Sequence, residues 1–273
     1  MSGRRRATPP ATVGSRAADA FMIEPAPARP ASTVLLVRDG ASGLEVFMVK
    51  RHRQIDFASG ALVFPGGSLD PGDWLIDAYG DFEARERAMR VAAVRETFEE
   101  AGVLLARPKG GLVWIDGART EDLVIAAKGK SFGELVAAEN LELGLDALVP
   151  FAHWVTPKAL PKRFDTKFYI VAAPADQLAG HDGWEAVESL WINPAAALEA
   201  ADNGVYTLIA PTRLNIELLG QSLDVASALA AARARKIVTV EPRGEKTETG
   251  FRMHIPLEAG YGVDGFSIVG GSV

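Results

Sequence analysis

Phe64-Pro65-Gly66-Gly67, followed further on by Arg95-Glu96-Thr97-Phe98-Glu99-Glu100-Ala101-Gly102-Val103, is the stretch from which the fold can be read. In its second half Glu96, Glu99 and Glu100 stand at i, i+3 and i+4, so on a helix their carboxylates share one face. Like charges at that spacing cost a helix roughly 0.2–0.5 kcal/mol per pair. A cation among them offsets that cost, and hard divalent ions prefer carboxylate oxygens. Taken alone, the three residues also read as a solvated acidic face. Their neighbours favour the first reading. Arg95, four residues before Glu99, can neutralise part of the cluster, and Gly102 stands where a helix would end in a left-handed residue. Pro65-Gly66-Gly67 supplies a turn of little side-chain bulk, so its backbone carbonyls can approach an ion closely. A glycine loop followed by a carboxylate-faced helix fits a Mg²⁺ or Mn²⁺ site.

These residues resemble the box of the Nudix hydrolase family, G-x5-E-x7-R-E-U-x-E-E-x-G-U, where U is bulky and apolar. Gly67 matches the opening glycine; Arg95, Glu96, Glu99, Glu100, Gly102 and Val103 match the closing half. Thr97 takes the first U position and still offers a methyl group to the core. Asp73 falls where the family has its first glutamate, and 21 residues separate it from Arg95 where the pattern has seven. The extra segment, near residues 74–82, reads as an insertion before the catalytic helix. Asp73, Glu83 and Glu86 are all candidates for the missing partner of Arg95.

The resemblance implies an α+β fold, the Nudix α/β/α sandwich with a mixed sheet. It implies that Glu96, Glu99, Glu100 and the Gly67 carbonyl hold Mg²⁺ or Mn²⁺, with Arg95 orienting the glutamates. Deprotonation of water then falls to Glu99 or to a distal acid before a later strand, for which Glu185 is the first candidate and Glu188 the second.

A second signature, L-L-T-x-R-S-x2-L-R-x3-G-x-V-x-F-P-G-G-x2-D, marks the branch of that family acting on coenzyme A (CoA) and its acyl esters. Here Arg51, Gly60, Phe64, Pro65, Gly66, Gly67 and Asp70 match it, while His52 replaces its serine and Asp56 its second arginine. The run Trp154-Val155-Thr156-Pro157, then Pro161-Lys162-Arg163-Phe164-Asp165-Thr166, and a later Pro211-Thr212-Arg213-Leu214 extend the similarity over about residues 33–220. The branch implies cleavage of CoA or acyl-CoA to adenosine 3′,5′-bisphosphate and (acyl-)phosphopantetheine, with Arg51 and Phe64 as substrate contacts. ADP-ribose, NADH or a dinucleotide polyphosphate is the alternative substrate. A nucleotide-binding module without hydrolysis is a reading of a different class, and the three intact glutamates speak against it. Lys158, Lys162 and Arg163, on a Pro-bounded loop, are either phosphate contacts or solvated charge, and Arg163-Phe164-Asp165-Thr166 reads equally as a structural salt-bridge and turn element.

Composition bounds the rest. The chain has 273 residues, 48% of them hydrophobic, enough for a sizeable core, and its net charge of −6 argues against a nucleic-acid partner. There is no cysteine, hence no disulfide and no thiolate chemistry, in keeping with a cytoplasmic location. No apolar run is long enough to span a membrane. Residues 1–32, with Arg4-Arg5-Arg6 and many prolines, read as a disordered tail, the alternative being an organelle address. Residues 33–220 form the expected hydrolase domain with a helical insert near 116–146. Residues 221–273 form a C-terminal helix and hairpin extension packing on the core or on a second subunit, which makes a homodimer possible.

Local signals place a hairpin over 33–37 and 44–49, and a short strand over 61–64. Asp81 is the expected cap of a helix running to about Ala101, with Ala84, Ala88, Val91, Ala92 and Phe98 inward. A strand is expected over 112–115, helices capped by Thr120 and by Ser131 with Glu134 as a capping box, and strands over 147–155, 167–173 and 187–192. Helices are expected from Pro194, over 212–219 and over 224–236, then a hairpin of 237–240 with 251–255. His153, His181 and His254 read as structural.

Overall fold

A computed structural model describes residues 25–51, 60–78, 80–177 and 186–269, so His181 and Glu185 lie outside the described residues, as do His52 and Asp56. At its centre β1 (Arg29–Gly40) pairs antiparallel with β2 (Gly43–Arg51) and parallel with β8 (Phe164–Ala172). Around these, β7 (Val149–Val155) flanks β8, and the short β3 (Leu62–Val63), β4 (Gly66–Ser68) and β9 (Ala186–Ile192) join β2 or β1. The two-residue β10 (Thr239–Val240) pairs parallel with β7 and completes the eight-stranded mixed sheet. β1 begins four residues before the expected Thr33, because Arg29 to Ser32 continue the parallel ladder against Phe164 to Lys167.

The middles of the central strands are continuous apolar runs, Val34–Val37, Val46–Val49 and Phe168–Ala172, and alternate residues enter different cores. Val34, Leu36, Phe47, Val49, Tyr169 and Val171 point to one side. Leu35, Val37, Val46, Met48, Phe168 and Ile170 point to the other. A strand has a period of two, so this pattern requires a covering layer on both faces. On the first face lie α1 (Ala84–Ala101), α2 (Gly117–Ala126) and α3 (Phe132–Ala138), with the small ribbon of β5 (Ala106–Pro108) and β6 (Leu141–Leu143). On the second lie α4 (Pro194–Asp202), α5 (Ala210–Leu219) and α6 (Val225–Ala234), through residues such as Ala197, Ile216 and Ala228. The result is an α/β/α sandwich. Among the described residues no helix is long and apolar enough to cross a membrane.

Several local expectations change. The cap of α1 is Glu83, without a side-chain hydrogen bond, rather than Asp81, and Ala84 is exposed. Asp116, not Thr120, caps α2: its carboxylate accepts from the Arg119 N–H, while the buried Thr120 hydroxyl donates to the Asp116 carbonyl. The expected strand at 112–115 does not form; Leu112 and Val113 are exposed, Trp114 is half-buried against the first core and Ile115 is buried. Ser131 and Glu134 do form the capping box of α3.

The C-terminal hairpin is also rearranged. Thr239 and Val240 are taken into the main sheet, and β11 (Arg243–Lys246), β12 (Gly250–His254) and β13 (Gly265–Val269) make a separate three-stranded sheet. It seats on the second core through Ile255, Ala259 and Phe266.

Candidate functional site

The helix α1 has neither glycine nor proline from Ala84 to Ala101 and is closed by Gly102, left-handed at φ 66°. Its inner stripe of Ala88, Val91, Ala92, Phe98 and Ala101 is buried against the sheet. That seating fixes the rotation of the helix and turns the acidic residues toward β4 and the turn after it. Thr97 is fully buried, its hydroxyl donating to the Ala93 carbonyl at 2.7 Å and its methyl group left for the core.

Arg95 is the hub. Its Nε and one Nη donate to the two oxygens of Asp73, at 2.8 and 3.0 Å. The other Nη donates to Glu96 at 2.8 Å and Glu99 at 2.9 Å, and the Ser68 carbonyl accepts at 3.0 Å. A guanidinium has five N–H groups, so all are used. Of the three candidate partners Asp73 is therefore the one that meets Arg95. Glu86 instead pairs with Arg90 at 2.7 Å and with Lys167.

Asp73 reaches Arg95 because Asp70-Pro71-Gly72-Asp73 folds into a single 3-10 turn with a reciprocal capping box. The Asp70 carboxylate accepts from the Gly72 N–H, and the Asp73 carboxylate accepts from the Asp70 N–H at 2.8 Å. An aspartate cap, a proline at the first position and an acid three residues on is a start signal that could have been read from the sequence.

The glycine turn meets the helix from the other side. Glu100 accepts from the Gly66 N–H at 2.8 Å, and a Cβ on Gly67 would fall 2.4 Å from a Glu96 carboxylate oxygen. Only glycine lets the backbone lie against that carboxylate. Burial pushes the Glu96 carboxyl up to about 7, against the pull of Arg95. Burial likewise raises Glu99, again opposed by Arg95, although about half of its side chain is exposed. These carboxylates outnumber the single guanidinium among them.

The donor set could hold a hard divalent cation: Glu96, Glu99, Glu100 and the Gly67 backbone supply oxygen ligands only. Among the described residues no three acidic or histidine side chains already converge as an ion cage. Glu96 and Glu99 are turned onto Arg95, and Glu100 onto Gly66.

Other expected contacts do not join this cluster. Phe64 is buried and packs edge-on against Phe168 in the second core, so its ring cannot meet a substrate. Arg163 is buried as well, donating to the Thr156 and Ala26 carbonyls and to Glu241; its guanidinium ties chain segments together. Lys162 is exposed and lies over the Phe164 ring at 5.9 Å. Nearby Asp165 pairs with Arg85, eleven residues before Glu96, or roughly 16 Å along the helix axis. The Arg51 side chain lies outside the described residues. Glu188 is engaged by Lys50 at 3.3 Å and by the Tyr206 hydroxyl at 3.0 Å. His153 bonds Asp165 and Thr239, and His254 bonds Glu245, all structural links.

Comparison with known proteins agrees with this architecture. The profile of the NUDT19 Nudix domain matches residues 78–217. A putative nudix hydrolase 7 of Caenorhabditis elegans is 32% identical over 181 residues, covering 66% of this chain and 57% of that protein. The acyl-coenzyme A diphosphatase NUDT19 of Homo sapiens is 26% identical over 217 residues, covering 59% and 56%. The chain thus spans less than two thirds of the length of these curated relatives. The crystal structure of a NUDIX hydrolase from Alicyclobacillus acidocaldarius superposes with a TM-score of 0.62 at 26% identity, over 75% of this chain and 96% of that one. With a profile match over more than half of its length and the glutamate helix in place, the chain belongs to the Nudix hydrolase family, in the branch of the NUDT19 Nudix domain.

Proposed function

We propose that the protein is a divalent-metal pyrophosphohydrolase that splits the diphosphate of CoA or an acyl-CoA into adenosine 3′,5′-bisphosphate and (acyl-)phosphopantetheine. The observation that carries the hydrolytic reading is the saturated Arg95, which lines up Glu96 and Glu99 on one face beside the Gly66-Gly67 turn. The CoA part draws on the relatives, of which the human and Xenopus laevis proteins are named acyl-coenzyme A diphosphatases.

Glu96, Glu99, Glu100 and the Gly67 carbonyl are the residues that would hold Mg²⁺ or Mn²⁺. Bound there, the ion supplies charge neutralisation for the diphosphate and a more acidic water. The chain's own part is positioning and proton transfer. Arg95, with no N–H left over, fixes carboxylates and does not touch substrate. Glu100 holds the glycine turn against the helix through the Gly66 N–H. Glu99, the most exposed of the three, with its carboxyl raised by burial, is placed to accept a proton from attacking water.

Glu99→Gln keeps shape and loses the base. Turnover should fall about 10²–10⁴-fold with the circular dichroism spectrum and melting temperature retained. Turnover close to that of the unaltered protein would remove Glu99 from the reaction.

A further inference from the structure

Between the Asp70–Asp73 turn and α3 lies an open cleft of about 760 Å³, lined also by Arg95 and Glu99, so it is continuous with the glutamate face. Its size is that of a small-molecule site. One wall is built by the segment that lengthens the box, through Leu75 and Ile76; the opposite wall is α3. The walls come together at Gly133, where an added Cβ would lie 3.5 Å from the Ile76 side chain, an ordinary contact distance. The charge of the lining is one-sided. Asp70, Asp77 and Glu99 line it, Arg95 has spent its five donors, and Lys109 is the remaining cation.

We infer that this cleft receives the uncharged arm of the substrate, the amide-linked (acyl-)pantetheine chain, and that the adenosine bisphosphate half lies outside it. The inference rests on the proposed CoA reading. The two halves flanking the diphosphate differ in charge: the nucleoside half carries an additional 3′-phosphate, the pantetheine half only amides, methylenes and a thiol or thioester. A lining dominated by carboxylates repels a second phosphate. It has no such quarrel with a neutral chain, whose methylenes can lie on Leu75 and Ile76 and whose amide oxygens can accept from Lys109. The box insertion thereby becomes a specificity element.

The test is Gly133→Leu in the full chain, whose added carbons crowd the cleft where α3 meets Ile76, paired with the double variant Gly133→Leu/Ile76→Ala, which gives them the room of the Ile76 side chain. Replacing glycine within a helix favours that helix, so folding is not at risk from propensity. Binding of the two products, hexanoyl-phosphopantetheine and adenosine 3′,5′-bisphosphate, is measured by calorimetry with Mg²⁺ present. The expected result is that Gly133→Leu weakens the pantetheine product about tenfold more than the adenosine product, as for the lost burial of roughly two methylene groups, and that the double variant recovers most of it. Equal weakening of both products, or greater weakening of the adenosine product, overturns the cleft assignment while leaving the CoA reading standing. Binding of neither product by the unaltered chain overturns the CoA reading and this inference with it.

Discussion

Asp73 is one methylene shorter than the glutamate that the family pattern places there, yet it makes the bidentate contact with Arg95. The chain makes up the difference with the 3-10 turn, which carries the carboxylate to the guanidinium and leaves it almost fully buried. Removing it takes away the acceptor of two of the five Arg95 N–H groups, while Glu96, Glu99 and the Ser68 carbonyl stay in place. Asp73→Ala should cost about 1.5–3 kcal/mol in urea unfolding, and turnover should drop with it because Arg95 is held less firmly beneath Glu96 and Glu99. An unchanged unfolding midpoint would mean that Arg95 finds other partners. At this scale the sequence was partly legible. The spacing of Glu96, Glu99 and Glu100 reported an acidic helix face at the glycine turn, and Arg95 beside them reported a partner for Glu96 and Glu99. Which acid meets Arg95 depended on a turn thirteen residues before the helix begins, and three candidates stood equal. Phe64 misled, and Arg163 stood open between substrate and salt bridge, for a shared reason: an aromatic or a guanidinium near a glycine loop or a basic run looks available for substrate. Only packing reveals that one fills a core and the other ties Thr156, Ala26 and Glu241 together.

At the scale of elements, α1 is longer than the glutamate stretch requires. Its early turns form a second polar centre, in which Glu86 joins Arg90, Lys167 and the Tyr169 hydroxyl between helix and sheet. Arg90 also reaches the Leu145 and Leu148 carbonyls, so the centre anchors the loop before β7. Burial works to raise the Glu86 carboxyl, but Lys167 and Arg90 outweigh it and hold it below the ordinary value of 4.5. An acid depressed in the folded state contributes stability that is present above its unfolded value and lost as pH falls through the folded one. Glu86→Gln should therefore lower the melting temperature at pH 7, with the difference shrinking on acidification below the ordinary value. Thermal melts of both proteins from pH 7 to pH 3 check this, and a difference independent of pH would place the effect in packing rather than charge. Helix ends were the least readable feature. Asp81 and Thr120 are good caps by type, but α1 starts two residues later and α2 four residues earlier than those residues imply. Ser131 with Glu134 was readable because the box needs two residues at fixed spacing and both are present.

Over the whole molecule, the two-sided burial of β1, β2 and β8 decides the architecture. Continuous apolar runs such as Val34-Leu35-Leu36-Val37 demand a layer on each face, and the helices before and after β7 and β8 supply them. That much follows from the sequence. The capture of Thr239 and Val240 by β7 does not, because a two-residue strand has no periodicity to read. The long connection through the box insertion separates this chain from a minimal version of the fold and places Leu75 and Ile76 beside Glu99. The central claim is that the glutamate helix serves metal-dependent cleavage of a CoA diphosphate. It is tested most directly by incubating the full chain with CoA, acetyl-CoA, hexanoyl-CoA, ADP-ribose, NADH and a dinucleotide polyphosphate, with Mg²⁺, Mn²⁺ or a chelator, and identifying products by mass spectrometry. The account predicts adenosine 3′,5′-bisphosphate and (acyl-)phosphopantetheine from the CoA compounds, only with metal present. Cleavage of ADP-ribose or dinucleotides in their place would contradict the substrate, and product formation undiminished by the chelator would contradict the role of the glutamates.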